Sequence, residues 1–382
     1  MRYFTAGNSH GKEIVVIIDD FPSGVKVSLE FINNELYRRS MGYGRGERMN
    51  IQKDDACFIS GIRGGTTTGS PICAKLKNPE WEKWSTVLDP FRKVAVENVM
   101  MPRPGHADLP GMLKYGLNDI RDVIERASAR ETACRVLSGA LAKLGLQELD
   151  IQISSHVVQI GTVSVESYDP DSISNELSDA SPTRCIDREV TLMMIDEIEK
   201  AKMKGDSIGG IFEVIIRNVV AGVGSYVQWD RKLDAGIARA IMSIQGIKGV
   251  EFGLGFGSAK ILGSDYHDQI RWRENIGYFR DSNNAGGFEG GMTNGEHLVV
   301  KAVMKPIPTL SKPLESVNVS THLKAKAHAE RSDICAVPAA AVVAEAVVSI
   351  EVFNAIQEMF GKDNFDILKN SYACYRSAIT KK

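Results

Sequence analysis

The sequence predicts a single α+β domain, on three observations. Strand-like and helix-like segments mix along all 382 residues without regular βαβ alternation. No polar linker divides them. Hydrophobic residues make up 43% and charged residues 25%, the balance of a chain with a sizeable core. The domain reads as 1–382, with a variable surface excursion at about 168–204.

Glu13 to Asp19 is rich in β-branched residues and predicts a strand. Ser28 to Arg39 predicts a helix with Leu29, Ile32 and Leu36 on one face, ended by the glycine-rich, arginine-loaded loop Gly42 to Arg48. A second helix is expected from about Asn118 to Leu144 with Gly145 as its stop, placing Arg126 and Arg130 on one face. Ile151 to Val165 and Ile211 to Val220 read as strands. Between them, Tyr168 to Arg184 is rich in Asp, Ser, Asn and Pro and predicts a surface excursion, the most expendable part of the chain for catalysis, followed by a charged helix to about Lys204. Leu298 to Met304 is a strand, Lys305 to Thr309 a rigid extended loop, and Pro338 opens an Ala/Val-rich helix ended by Gly361. The most apolar stretch, Val337 to Ile350, is shorter than the ~20 residues of a membrane span and contains Glu345, so it reads as a core helix.

A formal net charge of −2 gives no global field to gather nucleic acid or anionic lipid, so anion recognition must be local. The six cysteines form no CxxC pair, which argues against a zinc site and predicts reduced, mostly buried thiols. The first residues lack the apolar run of a signal peptide, and a cytoplasmic protein is expected.

Four constellations carry chemistry. Arg38, Arg39, Arg45 and Arg48 gather where a helix meets a glycine-rich loop; guanidinium groups pair bidentately with phosphate or carboxylate. A solvated basic helix end would account for Arg38 and Arg39 equally well. Arg103-Pro104-Gly105-His106-Ala107-Asp108 sets a cation beside an imidazole able to move a proton near neutral pH, and His10 in Ser9-His10-Gly11 has the same capacity. Arg126 and Arg130 flank Ser128, in an anion site or in surface salt bridges. Arg331-Ser332-Asp333 precedes the apolar helix, as a functional pair or as a helix-entry cap. The glycine strings at 64–70 and 253–257 lack the lysine of a P-loop and the spacing of a dinucleotide fingerprint. These residues define a site for a small, multiply anionic substrate and stop short of the reaction.

The strings TAGNSHG, RRSMGYGRGERM, SGIRGGTTTGSPI, RPGHADL, RASARETA, GSYVQWDRKLDA, MSIQGIKGVEFG, NNAGGFEGGMTNGE, MKPIPTL and ERSDICAVPAA occur in register, and through them the sequence resembles the chorismate synthase family from about Met1 to Gly361. The resemblance implies a layered fold with helices between antiparallel β-sheets, a homotetramer, and a lyase of the shikimate pathway to aromatic amino acids. The implied reaction is the anti-1,4-elimination of phosphate from 5-enolpyruvylshikimate 3-phosphate, requiring reduced FMN. By motif, His10 would protonate the departing phosphate, His106 would serve as proton partner of the flavin pyrimidine, and Asp333 would assist proton removal through flavin N5. Arg39, Arg45, Arg48, Arg103, Arg130 and Arg331 would clamp the substrate's anionic groups. The flavin would lie on Arg126, Ala127, Ser128, Gln245, Gly246, Gly290, Lys305, Pro306, Ile307, Pro308, Thr309 and Arg331. NADPH, for which Arg39 and Arg45 are the implied contacts, or a separate flavin reductase, would supply the reducing power. Asn8, Ala127 and Asn284 depart from the usual residues, and Ala127 forfeits one hydroxyl toward the flavin, typically about 0.5 to 1.5 kcal/mol. A dedicated flavin reductase is opposed by the missing Rossmann fingerprint, and an RNA-binding module by the mild acidity and the lack of aromatics among the arginines.

Overall fold

Alternation along Glu13–Asp19 (β2) sends Ile14, Val16 and Ile18 to a buried face, while Ile17 on the opposite face is 46% exposed. With Arg2–Ala6 (β1), Ala56–Ser60 (β3) and Ile72–Lys77 (β4), it forms an antiparallel sheet in the order β1-β2-β4-β3. A second antiparallel sheet is built from Gln152–Ile160 (β5), Val163–Ser164 (β6), Gly210–Arg217 (β7), Ile247–Phe252 (β8) and Leu298–Met304 (β9), in the order β8-β9-β7-β5-β6. The computed structural model describes residues 1–46, 54–92, 96–274, 276–330 and 332–380. Arg48 and Arg331, both expected at the site, lie outside the described residues.

The longer helices among the described residues are Leu29–Ser40 (α1), Asp108–Tyr115 (α2), Arg121–Ala127 (α3), Thr132–Gln147 (α4), Arg188–Met203 (α5), Leu233–Met242 (α6), Val337–Phe360 (α7) and Phe365–Thr380 (α8). α4 packs on β2 of the first sheet, α7 packs on β5 and β7 of the second, and the two helices pack on each other with α1 alongside. Helices therefore lie between antiparallel sheets, as the α+β reading expects, and one hydrophobic cluster runs from Val16 and Ala74 through Leu137, Leu141 and Val348 to Phe212 and Val214.

Ser28 caps α1 by accepting a hydrogen bond from Phe31 N, so the expected start holds. The expected long helix from Asn118 does not. α3 ends at Ala127, Ser128 turns extended (ψ 140°), and its side chain accepts from Arg130 N to start a single 3₁₀ turn before α4. Arg126 and Arg130 thus fall on opposite sides of a break. Gly145 is not a stop but an interior residue of α4, where a Cβ would stand 2.6 Å from the Phe353 ring; Gly139, two turns earlier, would collide with Ala346 in the same way. Both glycines let α4 and α7 approach closely.

α7 also corrects the length estimate. At 24 residues it could span a membrane by length and composition, yet 83% of its most apolar window is buried inside the protein, which accounts for its character as a core helix. Its Glu345 is fully buried and receives Arg38, Lys143 and Arg184, with Ser155 donating to the same carboxylate. Glu35 joins through Arg38 at 2.7 Å and Lys143 at 2.6 Å, and Asp179 through Arg38 at 2.6 Å and through Arg184. Burial alone would raise the Glu345 carboxyl, but the three cations hold it well below the usual range. Arg38 is therefore neither an anion receptor nor a solvated helix end.

The 168–204 segment is less superficial than its composition implies. Asp179 and Arg184 enter this buried cluster, and Tyr168 donates to Glu213 at 2.8 Å and stands edge-on to His156, covering polar groups on the outer face of the second sheet. Cys134, Cys185 and Cys335 are buried, while Cys57 and Cys374 are exposed. Replacing Glu345 by Ala strands three buried cations against two remaining carboxylates. The expected loss is about 3–5 kcal/mol, read as a lower urea midpoint, and an unchanged midpoint contradicts this account of the cluster.

Candidate active site

The loop between β1 and β2 carries Ser9 and His10 to α3. Ser9 N donates to Glu125 O, and the Ser9 and Ser128 hydroxyls lie 2.9 Å apart. Among the contacts that hold His10, its backbone N–H donates to Glu125 Oε2 at 2.8 Å, its Nδ1 lies 2.8 Å from Glu125 Oε1, its carbonyl accepts from Asn78 Nδ2 at 3.0 Å, and its ring lies against Trp84 with centroids 4.2 Å apart. The Arg121 guanidinium also lies over the Trp84 ring, 5.3 Å from its centroid.

His106 is held by the loop that enters α2. Its Nδ1 approaches Asp108 Oδ1 at 2.5 Å, and Asp108, fully buried, also accepts from Arg103 N, Nε and Nη2. Burial alone would raise the Asp108 carboxyl; the hydrogen bonds from His106 and Arg103 keep it well below the usual range. Arg103 donates onward to Thr309 at 2.9 Å, and Lys305 Nζ donates to Gly105 O at 2.8 Å, so the Lys305–Thr309 loop is tied to the His106 loop.

These two histidine sites belong to one chain of alternating charge. Arg121 lies 3.9 Å from Glu125 and 2.8 Å from Glu330, and Glu330 lies 3.8 Å from Arg103. The sequence runs His10, Glu125, Arg121, Glu330, Arg103, Asp108, His106. His328, 3.1 Å from Glu330, adds a third imidazole. Burial opposes ionisation of Glu330, but hydrogen bonds from His328 and Arg121 and the charge of Arg103 bring it down to about 2.

A second group gathers where α1 ends. Arg39, 5% exposed, donates to Thr132 Oγ1 and Ala129 O, both at 2.9 Å, with Asp54 at 3.9 Å. Arg130 pairs with the same Asp54 carboxylate oxygen. Burial pushes Arg39 down to about 10; Asp54 offsets part of this, and the neighbouring Arg130 and Arg45 add to it. Arg45 pairs with Asp333 at 2.8 Å, while Gly46 N donates to the other Asp333 oxygen at 2.7 Å. Asp333 is not a helix-entry cap: the N-cap of α7 is Ala336, which makes no side-chain cap. Among the described residues, three guanidinium groups thus face two carboxylates, and Arg45 Nε and Asp54 Oδ1 are buried with no hydrogen-bond partner. Excess positive charge in a partly desolvated place is a receptor for an anion.

The segments expected to hold a flavin mostly come together. Exposed Arg126 donates to Thr5 O and Oγ1, Thr5 donates to Glu131, and Glu131 accepts from Gln245 at 3.4 Å. Gln245 Oε1 is buried without a partner, and Gly246 O accepts from Lys305 N, the first residue of the proline loop, whose Ile307 O accepts from Ser207. An orphaned amide acceptor beside a glycine turn (Gly246, φ 87°) and a hydroxyl-bearing break at Ser128 suits a planar ligand rich in donors and acceptors. Gly290 is the exception. It turns the hairpin Phe288–Thr293 against Tyr226, and among the described residues no hydrogen bond of that hairpin reaches the 126–128, 245–246 or 305–309 segments.

The sequence reading missed Glu125, Trp84, Arg121, Glu330 and Asp54, and gave Asp108 no role of its own. Glu125 adjoins Arg126, and Asp108 follows His106 by two residues, so proximity to the named groups was a usable signal for both. Asp54 and Trp84 are joined to the site only by tertiary contacts.

Carboxylate-held imidazoles and, among the described residues, three clustered guanidinium groups beside two carboxylates suit an enzyme acting on a small molecule. Comparison with known proteins narrows the class. The chorismate synthase family matches residues 1–357. The chorismate synthase of Geobacillus sp. (strain WCH70) is 51% identical over 378 residues, 97% of each chain, and that of Listeria welshimeri is 51% identical over 383 residues, 99% of each. A crystal structure of chorismate synthase superimposes with a TM-score of 0.81 at 40% identity, covering 100% of this chain and 98% of that one. This chain belongs to the chorismate synthase family.

The lowered Glu330 carboxyl gives a pH signature. Its stabilisation is complete above the ordinary 4.5 and is lost as pH falls toward about 2. Glu330→Gln is expected to lower stability by about 1–3 kcal/mol at pH 7, with the deficit relative to the parent protein shrinking as pH drops from 5 to 3. Paired thermal melts across that range check it; a deficit independent of pH contradicts the charge chain.

Proposed function

We propose that the protein catalyses the anti-1,4-elimination of phosphate from 5-enolpyruvylshikimate 3-phosphate to give chorismate, with the whole chain acting as one domain. The observation that carries this reading is the joint presence of a surplus guanidinium cluster and two carboxylate-held histidines in a chain about half identical to chorismate synthases over nearly its full length. The reaction requires reduced FMN, which when bound supplies electron density to the allylic system as the phosphate leaves. Ala127, Ser128, Gln245, Gly246 and Lys305 to Thr309, with Arg126 at the rim, are the residues of this chain suited to hold it.

The chain's own residues supply anion binding, orientation and proton transfer. As the carbon–oxygen bond breaks, negative charge builds on the departing phosphate, and Arg39, Arg45 and Arg130 are already oriented by Asp54, Asp333 and Thr132, so little reorganisation is needed. His10 gives a proton to that phosphate, an acid–base contribution typically of 10²–10⁴ in rate. His106, fixed by Asp108, is the proton partner on the Lys305 side. Asp333 offers a carboxylate on the Arg45 side, where a proton leaving the substrate can be taken up. Arg103 is so fully engaged by Asp108 and Thr309 that its part is to hold His106 in place. A homotetrameric, cytoplasmic enzyme of aromatic amino-acid biosynthesis accords with this family.

Anaerobic incubation of the phosphate ester with protein and chemically reduced FMN is expected to yield chorismate and phosphate in equal amounts. A parallel reaction with NADPH and oxidised FMN decides whether the protein reduces its own flavin or depends on a separate reductase. No product in either, from folded protein, overturns the proposal.

A further inference from the structure

The contact between His10 and Glu125 has the form of a device for presenting a proton. The Glu125 side chain is 2% exposed, and its two oxygens divide their work: Oε2 accepts the His10 backbone N–H and Oε1 faces the ring Nδ1, each at 2.8 Å. Arg121 Nη1 lies 3.9 Å from Oε1, completing an ion pair one helical turn away on α3. An ionised carboxylate only accepts, so the proton in the ring contact belongs to Nδ1. The Trp84 stack fixes the plane in which the ring can lie.

We infer that Glu125 is a positioning residue for the reaction: it holds His10 with a proton on Nδ1 and balances the imidazolium, so that the proton delivered to the departing phosphate leaves from Nε2. This rests on the acid role proposed for His10. In the step, the Nε2–H bond breaks, an O–H bond forms on the phosphate, and the ring returns to neutral with its remaining proton still directed at Glu125.

Glu125→Gln separates this role from mere attachment of the loop to α3. The variant has the same shape, but its amide has one acceptor and one donor end. A backbone N–H can only donate, so the amide oxygen must serve His10 N, and the NH₂ then faces Nδ1. Nδ1 is forced to accept, the neutral ring carries its proton on Nε2, and the imidazolium loses its balancing charge. Loop attachment survives while the proton-bearing nitrogen switches.

Neutron diffraction from deuterated crystals of the parent protein and of Glu125→Gln reads the switch directly. Deuterium is expected on Nδ1 of His10 in the parent and on Nε2 alone in the variant. With reduced FMN, kcat is expected to fall by about 10²-fold with KM within about threefold, whereas Glu125→Asp, which keeps the charge, restores part of the loss. A parent His10 deuterated only on Nε2 overturns the inference whatever the variant does, and so does a switched tautomer with unchanged kcat. His10→Ala measured alongside distinguishes the two levels: full turnover without His10 removes its acid role, while inactive His10→Ala beside fully active Glu125→Gln removes only the role of Glu125.

Discussion

The arrangement depends on a carboxylate buried at the centre of the helical layer. Glu345 is fully inaccessible and is neutralised by Arg38 from α1, Lys143 from α4 and Arg184 from the segment before α5. An unpaired ion there would cost several kcal/mol, so those elements can pack only in the register that brings the cations to it. Arg38 and Arg39 are adjacent on α1, so the register that seats Arg38 also fixes the direction in which Arg39 leaves the helix. The same packing lets α4 approach α7 at Gly139 and Gly145 and places Ala129, in the turn before α4, and Thr132, its first residue, against Arg39. A structural cluster on one side of α1 thereby orients a functional one on the other.

Among the described residues the two clusters differ in balance, and the proposed chemistry draws on that difference. Around Glu345, three cations meet three carboxylates and the charge is satisfied within the fold. Around Arg39, Arg45 and Arg130, the described carboxylates number two, and polar atoms of Arg45 and Asp54 are buried without partners. An anionic ligand is the proposed partner for such a cluster. The chain from His10 to His106 adds proton-handling groups whose orientation is set by carboxylates rather than by solvent, and Glu330 and Arg121 make the two ends parts of one network.

Sequence patterns reached the parts of this structure governed by local rules. β-Branched residues located β2, the spacing of Leu29, Ile32 and Leu36 located α1, and Pro338 and Gly361 bracketed α7. The break between α3 and α4 was missed because apolar spacing continues across it, although Ser128-Ala129-Arg130-Glu131 has the Ser-x-x-Glu form of a helix start. Gly145 was misread because its lack of a side chain answers to Phe353, a neighbour remote in sequence. At the site, motifs brought His10, His106, the arginines and Asp333 into view, but not Asp54, Glu330 or Trp84, whose meaning lies in partners supplied by other elements. The segment at 168–184 looked superficial because its polar composition resembles that of a solvated loop, whereas Asp179 and Arg184 are polar in order to complete a buried cluster.

The central claim is that the fold holds a surplus of oriented guanidinium groups for the phosphate of the substrate. Equilibrium titration of the protein with 5-enolpyruvylshikimate 3-phosphate, compared with the same compound lacking its phosphate, tests it most directly. Charge-assisted hydrogen bonds of about 1.5–3 kcal/mol each predict that losing the phosphate weakens binding by at least about 100-fold, and that raising the salt concentration narrows the gap. Equal affinity for the two compounds would contradict the account.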